Sequence, residues 1–445
     1  MSERIVHIVG AGPVGLVTAI FFAVRGFRVV VHERRPDPLA GGIPEGRSIN
    51  LALSRRGLET LARAGLDKAI LEIATPMRGR LMHNLTGDLT FQPYGRDLGE
   101  SIHAVSRGEL NRMILSAALK HSRVEVRFGE RCVEASPEGL LTLAGPDGQE
   151  TVVDADVVIG CDGSGSVVRR AISSLPNAVV RQEFIDYDYK ELTIPAGPDG
   201  SYQMEKNALH IWPRGRFMLI ALPNAEGSFT CTLFLAQQGD PGFSSLTTTA
   251  TVAKFFRTYF PDTVELIPNL EGAFLAGPNG SLPKIDCWPW HIGDRLLLLG
   301  DAAHGIVPFL GQGLNCALES VALLFDILDR SGDDWAGAFD RFARERKVDT
   351  DAISVMAIEN FVEMRDRVAD PGFLLQKQVE HELERRFPHL FRSRYGQIQF
   401  TRVRYRDALE QGLRNDWFLG RLVGDSRGMD QIDWDEAKRQ LETGF

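Results

Sequence analysis

Six residues near the N-terminus, Gly10-Ala11-Gly12-Pro13-Val14-Gly15, constrain this chain more than any other feature. They follow a short apolar run, Ile5–Val9, that reads as a buried strand, and they open a helical segment from about 14 to 24. Residues 27–32 read as a second strand, giving a β-turn-α-β unit and the start of a parallel sheet. In such a turn Gly10 permits the tight bend, Gly12 lets a pyrophosphate approach the backbone, and Gly15 lets helix and strand pack closely. The helix N-terminus offers phosphates its unpaired N–H groups and the positive end of its dipole. Glu33 ends the second strand, where an acid can accept from ribose hydroxyls. The motif predicts a dinucleotide and does not separate FAD from NAD(P).

The same run, residues 5–24, has the apolarity of an export signal or membrane span. Its glycines and Pro13 break it in the first half, and Arg25-Gly26-Phe27 follow where a small-residue cleavage site would stand. No other run approaches the ~18 apolar residues a span needs. The expectation is a cytoplasmic chain with no membrane span. Five scattered cysteines without a CxxC pair fit reduced thiols, and no Cys/His spacing suits a metal. Lys plus Arg is 50 against 59 Asp plus Glu, and the net charge of −9 gives no general attraction to nucleic acid or anionic lipid.

Helices are expected over 55–65 and 107–120, and strands over 124–128 and 157–159. Between 178 and 282 the character changes. Four runs, 189–195, 208–213, 216–223 and 228–235, are separated by turn residues at the spacing of an antiparallel sheet. Residues 295–300 return to the parallel type, and the chain is helical after Gly313. The expected fold class is α/β. A Rossmann-like nucleotide-binding domain (1–177 and 283–360) is interrupted by an antiparallel-sheet substrate domain (178–282) and followed by a C-terminal helical region (361–445) that contributes to the substrate pocket.

Two further segments bear on the nucleotide. Cys161-Asp162-Gly163 follows a strand and leads through Ser166 to Arg169. Gly300-Asp301-Ala302-Ala303-His304 continues through Pro308 to Gly311-Gln312-Gly313-Leu314-Asn315. There the Asp301 carboxylate can accept from a sugar hydroxyl, and the glycines at 311 and 313 expose N–H groups at the start of a long helix, a second anion or dipole site.

In this order the three segments resemble the single-component FAD-dependent aromatic hydroxylases of the para-hydroxybenzoate hydroxylase type. That resemblance implies FAD as cofactor, held by Gly10, Gly12, Gly15, Glu33, Arg34, Arg47, Leu51, Arg107, Asp162, Asp301, Gly311, Gly313, Leu314 and Asn315. It implies NAD(P)H as a transient reductant, O2 as co-substrate, and ring hydroxylation through a flavin C4a-hydroperoxide, with no obligatory catalytic side chain. Longer strings, among them Met77-Arg78-Gly79-Arg80, Gln92-Pro93-Tyr94-Gly95-Arg96 and Glu359-Asn360-Phe361-Val362-Glu363-Met364, are similar to the kynurenine 3-monooxygenase branch of that family. This implies L-kynurenine as substrate and 3-hydroxykynurenine as product. Arg80, Tyr94, Asn360 and Tyr405 would hold the amino-acid end, and Leu209, Ile211, Met218, Leu222, Phe234, Pro308, Phe309 and Met364 would surround the arene. Chemically, an arginine fork and phenol donors suit a desolvated carboxylate. An apolar pocket excludes water from a reduced flavin.

Gly305 stands where the bacterial pattern usually has Pro, and Leu310 where a polar residue is common. These differences keep open a related hydroxylase for a modified tryptophan-derived amino acid. Trp288-Pro289-Trp290-His291-Ile292 resembles the stem of flavin-dependent halogenases, but Gly293 follows and their lysine motif has no match. These tryptophans read as sheet-edge residues near a turn. The expected partners are small molecules, with the protein a monomer or homodimer.

Overall fold

The computed structural model describes residues 4–41, 50–96, 99–363 and 371–444. The chain forms two compact units. One gathers the residues up to Ala74 with Val105–Ile185 and Leu282–Ser354, the other Thr75–Ala104, Asp186–Ser281 and the residues from Val355 on. The short excursion 75–104 lies within the expected 1–177 segment yet belongs to the second unit. The reason is pairing: Gly79–His83 joins the sheet of that unit beside Ala208–Pro213.

The first unit is built on a six-stranded sheet in the order His291–Ile292, Leu296–Leu298, Val157–Gly160, Ile5–Val9, Arg28–Glu33, Val124–Phe128. All pairings are parallel except the first. The central strands are rich in Val and Ile because both faces are covered. Helix Pro13–Val24 is buried on nearly every side, packed on helices Arg107–Ala118 and Gly313–Ser331. A three-stranded antiparallel meander, 131–154, adds to this unit. Trp290 is fully buried in the core and donates from Nε1 to the Cys287 carbonyl at 2.7 Å, so it is a core residue and not a sheet-edge one.

The second unit carries a sheet that runs, from Val179–Ile194, through Phe229–Ala236, Met218–Pro223, Ala208–Pro213 and Gly79–His83 to Leu89–Pro93. The pairings are antiparallel except that between Gly79–His83 and Ala208–Pro213. Helices Thr249–Tyr259 and Leu270–Ala276 cover one face, filling it with Trp212, Leu219, Leu233, Phe256, Phe260 and Phe274. Helices Pro371–Arg386, Arg394–Phe400, Tyr405–Val423 and Trp434–Thr443 follow, around Val379, Leu383, Phe391, Phe418 and Ala437. Among the described residues no helix is long and apolar enough to cross a membrane.

Three buried imidazoles make the fold acid-sensitive. Burial lowers His7 and His210 to about 4 and His304 to about 3, from an ordinary 6.5. The unfolded chain therefore binds protons near pH 6.5 that the folded chain refuses. Their contribution is complete above pH 6.5 and is lost as pH falls toward 4, at roughly 1.4 kcal/mol per pH unit for each group. The expected result is a urea midpoint that drops steadily from pH 7 to pH 5; a flat midpoint would contradict the burial of these rings.

Candidate active site

The glycine turn in the first unit is shaped by contacts that leave no room for side chains. Gly10 has φ +105°, and a Cβ there would lie 2.5 Å from the Cys161 carbonyl oxygen. A Cβ on Gly15 would lie 2.0 Å from the Gly10 oxygen. Gly12 differs: nothing stands within 4 Å of its Cβ position, so the backbone there faces open space. It caps helix Pro13–Val24 without a side-chain hydrogen bond, leaving first-turn N–H groups for an anion. Glu33 closes the turn by accepting from the Ala11 N–H at 2.8 Å. It also accepts from Arg35, at 3.0 Å from the backbone and 2.8 Å from Nε. Burial opposes this charge, but the Arg35 bonds hold the carboxyl below its ordinary range. Arg34 points to solvent, and Arg35 is the arginine that meets Glu33.

The two later motifs complete the cradle. The Asp162 carboxylate shapes its own loop, accepting from Ser166 Oγ (2.5 Å) and the Val167 (2.7 Å) and Val168 (3.3 Å) N–H groups. Arg169 ties that loop to the Ala302 carbonyl at 2.9 Å. Asp301 is exposed to water although protein surrounds it closely enough to raise its carboxyl pKa, with Arg107 opposing the rise. It therefore lines a recess, and its carboxylate makes no hydrogen bond among the described residues. Gly311, at φ +63°, turns the chain into helix Gly313–Ser331, whose N-terminus also lacks a side-chain cap. Leu314 and Leu51 pack partly buried on the core. Arg47 and Met364 lie outside the described residues.

Asn315 has a structural part. It accepts from the Ser54 N–H at 2.9 Å and donates to the Ala52 and Gly311 carbonyls, each at 2.8 Å. Replacing it with Ala would strand three backbone groups, the buried Ser54 N–H and the half-buried Ala52 and Gly311 carbonyls. We expect a loss of about 2–4 kcal/mol, read from urea unfolding; a loss under about 0.5 kcal/mol would contradict this bridging role. The cradle helix is anchored further by Glu319, which binds Arg56 at 2.6 Å and Arg346 at 2.9 Å. Charged residues in a helical stretch gave no sign of this buried network.

In the second unit, strand register gathers the expected pocket residues. Arg80 pairs with Leu209, Ile211 with Ile220, and Met218 with Phe234. Side chains alternate along a strand, so Arg80, Leu209, Ile211, Met218, Leu222 and Phe234 share one face. The other face holds Trp212, Leu219 and Leu233 against the helices. The shared face is dry: Ile211 is 1% exposed, Met218 4% and Phe234 5%.

The Arg80 guanidinium lies 5.6 Å from the Tyr94 ring centroid and 4.8 Å from that of Tyr395. The two rings stack at 5.2 Å with 20° between planes. Arg80 Nε and Tyr94 Oη are buried and lack a hydrogen bond of normal geometry. Burial raises both phenols, which stay protonated donors at neutral pH. Glu363 acts electrostatically on Arg80. Asn360 lies half-buried on helix Trp335–Val362, about one turn before Glu363. Tyr405 is fully buried as the first residue of helix Tyr405–Val423, and Tyr395 is the phenol that meets Arg80. Only a Ser393 cap marks the start of the Tyr395 helix in the sequence, and it says nothing of what that ring faces.

Pro308 and Phe309 form a short turn of the first unit leading into Gly311. Gly305 has φ −58°, the angle a proline imposes, so the chain makes no use of glycine's wider backbone freedom here.

Residues 3–234 and 284–348 match the family described as FAD binding domain. The whole chain is similar to a kynurenine 3-monooxygenase of Myxococcus xanthus (strain DK1622), 47% identical over 439 residues, spanning 98% of this chain and 94% of that protein. The chain belongs to the kynurenine 3-monooxygenase family. Other members of the family include proteins of Stenotrophomonas maltophilia (strain K279a), 42% identical over 99% of this chain and 97% of theirs, and Dictyostelium discoideum, 41% identical over 97% and 96%. The fold is shared with 2-methyl-3-hydroxypyridine-5-carboxylic acid oxygenase (TM-score 0.66, 20% identity, 84% of this chain and 96% of that one). It is also shared with p-nitrophenol 4-monooxygenase from Pseudomonas putida DLL-E4 (TM-score 0.65, 18% identity, 93% and 98%). This member of the kynurenine 3-monooxygenase family thus carries an FAD binding domain. Its residues fit the cofactor: two uncapped helix N-termini for the diphosphate, open space at Gly12, and an unengaged carboxylate at Asp301.

Proposed function

We propose that this chain hydroxylates L-kynurenine to 3-hydroxykynurenine with NAD(P)H and O2. The observation that carries the reading is the 47% identity to a kynurenine 3-monooxygenase across 98% of the chain. Arg80 Nε and Tyr94 Oη, buried close together without a hydrogen bond of normal geometry, support it, because buried donors of this kind suit an anionic ligand group.

FAD, when bound and reduced by the nicotinamide, would supply the electrons that activate O2, one atom of which goes to the ring and the other to water. Gly12 opens the start of helix Pro13–Val24 to the diphosphate while Gly10 and Gly15 shape the turn, and Gly313 stands at the second helix start, which Gly311 turns the chain into. Glu33 and Asp301 are the carboxylates facing sugar hydroxyls, and Arg107 offsets the charge of Asp301. Arg80 binds the substrate carboxylate through its fork, and Tyr94 and Tyr395 add neutral donors. Leu209, Ile211, Met218, Leu222 and Phe234 give the arene a dry face that limits proton access and wasteful decay. The aniline nitrogen of kynurenine already enriches the ortho carbon in electron density. The protein's contribution is therefore orientation, with no side-chain base required.

The test is anaerobic reduction of the FAD-loaded protein by NADPH and NADH, with and without L-kynurenine, followed by air and product identification. We expect kynurenine to accelerate reduction and 3-hydroxykynurenine to accumulate. Peroxide as the sole product would overturn the reading. A ring-substituted kynurenine turned over in preference would shift the substrate to a modified amino acid.

A further inference from the structure

The two phenols beside Arg80 come from segments 301 residues apart, Tyr94 and Tyr395, yet their rings are stacked. A largely buried ion pair joins the same two segments. Glu100 accepts from Arg392 through both oxygens, Nη2 to Oε1 at 2.9 Å and Nη1 to Oε2 at 3.2 Å. It also accepts from Arg96, at 2.9 Å from the backbone N–H and 3.1 Å from Nη2. The side chains of Glu100 and Arg392 are 17% and 14% exposed. The loop folds so tightly that a Cβ on Gly95, the neighbour of Tyr94, would lie 2.2 Å from the Glu100 Cβ. Glu100 is thus fixed to the tyrosine end of its own loop.

The other end is equally bound. Arg392 reaches the Gly396 carbonyl at 3.3 Å, and its own carbonyl accepts from Asn415 at 2.8 Å and Gln397 at 3.1 Å. Ser393 caps the helix by accepting from the Gly396 N–H at 3.0 Å, and Glu384 accepts from Ser393 N–H and Oγ at 2.8 and 2.9 Å. Tyr395 stands inside this turn. A shift of Arg392 relative to Glu100 moves one phenol against the other and against Arg80.

We propose that Glu100 and Arg392 are a positioning pair that sets selectivity for the substrate carboxylate, by fixing the spacing of Tyr94 and Tyr395 over Arg80. This rests on the kynurenine reading above. The pair touches no substrate atom; it acts through the phenols. Misplacement of a binding group by about 1 Å costs on the order of a hundredfold, and loss of one charge of the pair permits such a shift.

The experiment compares KM for L-kynurenine and for its decarboxylated analogue, which keeps the arene and the amine, on FAD-loaded wild type, E100Q, R392Q and the double variant. E100Q and R392Q are each expected to raise KM for kynurenine about tenfold or more while changing KM for the analogue less than about threefold. The double variant should be no worse than either single, since both remove one interaction. Equal factors for the two substrates, or additive losses, would overturn the proposal by assigning the pair to general stability. If E100Q fails to fold, E100D, which keeps the charge and shortens its reach, decides by the same ratio. Wild type that handles both substrates alike would overturn the Arg80 grip beneath the proposal, and the proposal with it.

Discussion

Arg80→Ala is expected to raise KM for L-kynurenine by roughly two to three orders of magnitude while leaving FAD bound at full occupancy. Burying a carboxylate without its cationic partner costs about 2–5 kcal/mol, and each 1.4 kcal/mol is about tenfold in affinity. The site offers little substitute. Tyr94 and Tyr395 are neutral donors, and the surrounding face presents Leu209 and Ile211. The two rings also lose the cation lying over them. Arg80→Lys should recover only part of the loss, since an ammonium lacks the planar fork. FAD content stays intact because the glycine turn, Glu33 and Asp301 belong to the other unit. Steady-state KM and the flavin-to-protein absorbance ratio check this together. A KM within about threefold of wild type would remove the carboxylate clamp.

Gly15→Ala is expected to abolish FAD binding and to destabilise the fold by several kcal/mol. The added Cβ would sit 2.0 Å from a backbone oxygen, that of Gly10, so relief requires helix Pro13–Val24 to move off the strand it follows. Overpacking of a tight core typically costs about 1–3 kcal/mol, and here the obstacle is backbone that no rotamer change can clear. Gly12→Ala is the informative contrast. Its Cβ meets nothing within 4 Å, so the apoprotein should unfold at the wild-type temperature. Its FAD affinity should nevertheless fall, because the methyl fills the space a diphosphate needs. Thermal unfolding of the apoproteins with FAD titration separates the two cases. A Gly12→Ala variant that binds FAD normally would place the diphosphate elsewhere.

How much of this was readable from sequence follows from the range of the interactions. The glycine turn is local: strand, turn and helix lie within 20 residues, and their pattern carries its own geometry. The pocket face was half legible. Leu209 and Ile211, or Met218 and Leu222, fall on one face by alternation alone, but which face is lined by Arg80 depends on a parallel pairing across 129 residues. No periodicity encodes that pairing, so the sequence gives no sign that 75–104 joins the sheet of the second unit. Tyr405 and Tyr395 each lie in the first turn of a helix near the C-terminus, and composition offers no ground for preferring one. The stacking with Tyr94 decides it. Asp162 shows the converse case: an Asp-Gly turn signals a loop correctly, but the bonds the carboxylate makes within that loop are not readable from the sequence. The Glu100–Arg392 pair lay beyond sequence reasoning, since any of the 59 acidic residues could have partnered Arg392.

The most direct measurement is a crystal structure of the FAD-loaded protein with L-kynurenine. The account predicts the substrate carboxylate within hydrogen-bonding distance of the Arg80 guanidinium and of the Tyr94 and Tyr395 hydroxyls, with the arene against Ile211, Met218 and Phe234. A carboxylate bound elsewhere, with Arg80 turned from the ligand, would contradict it.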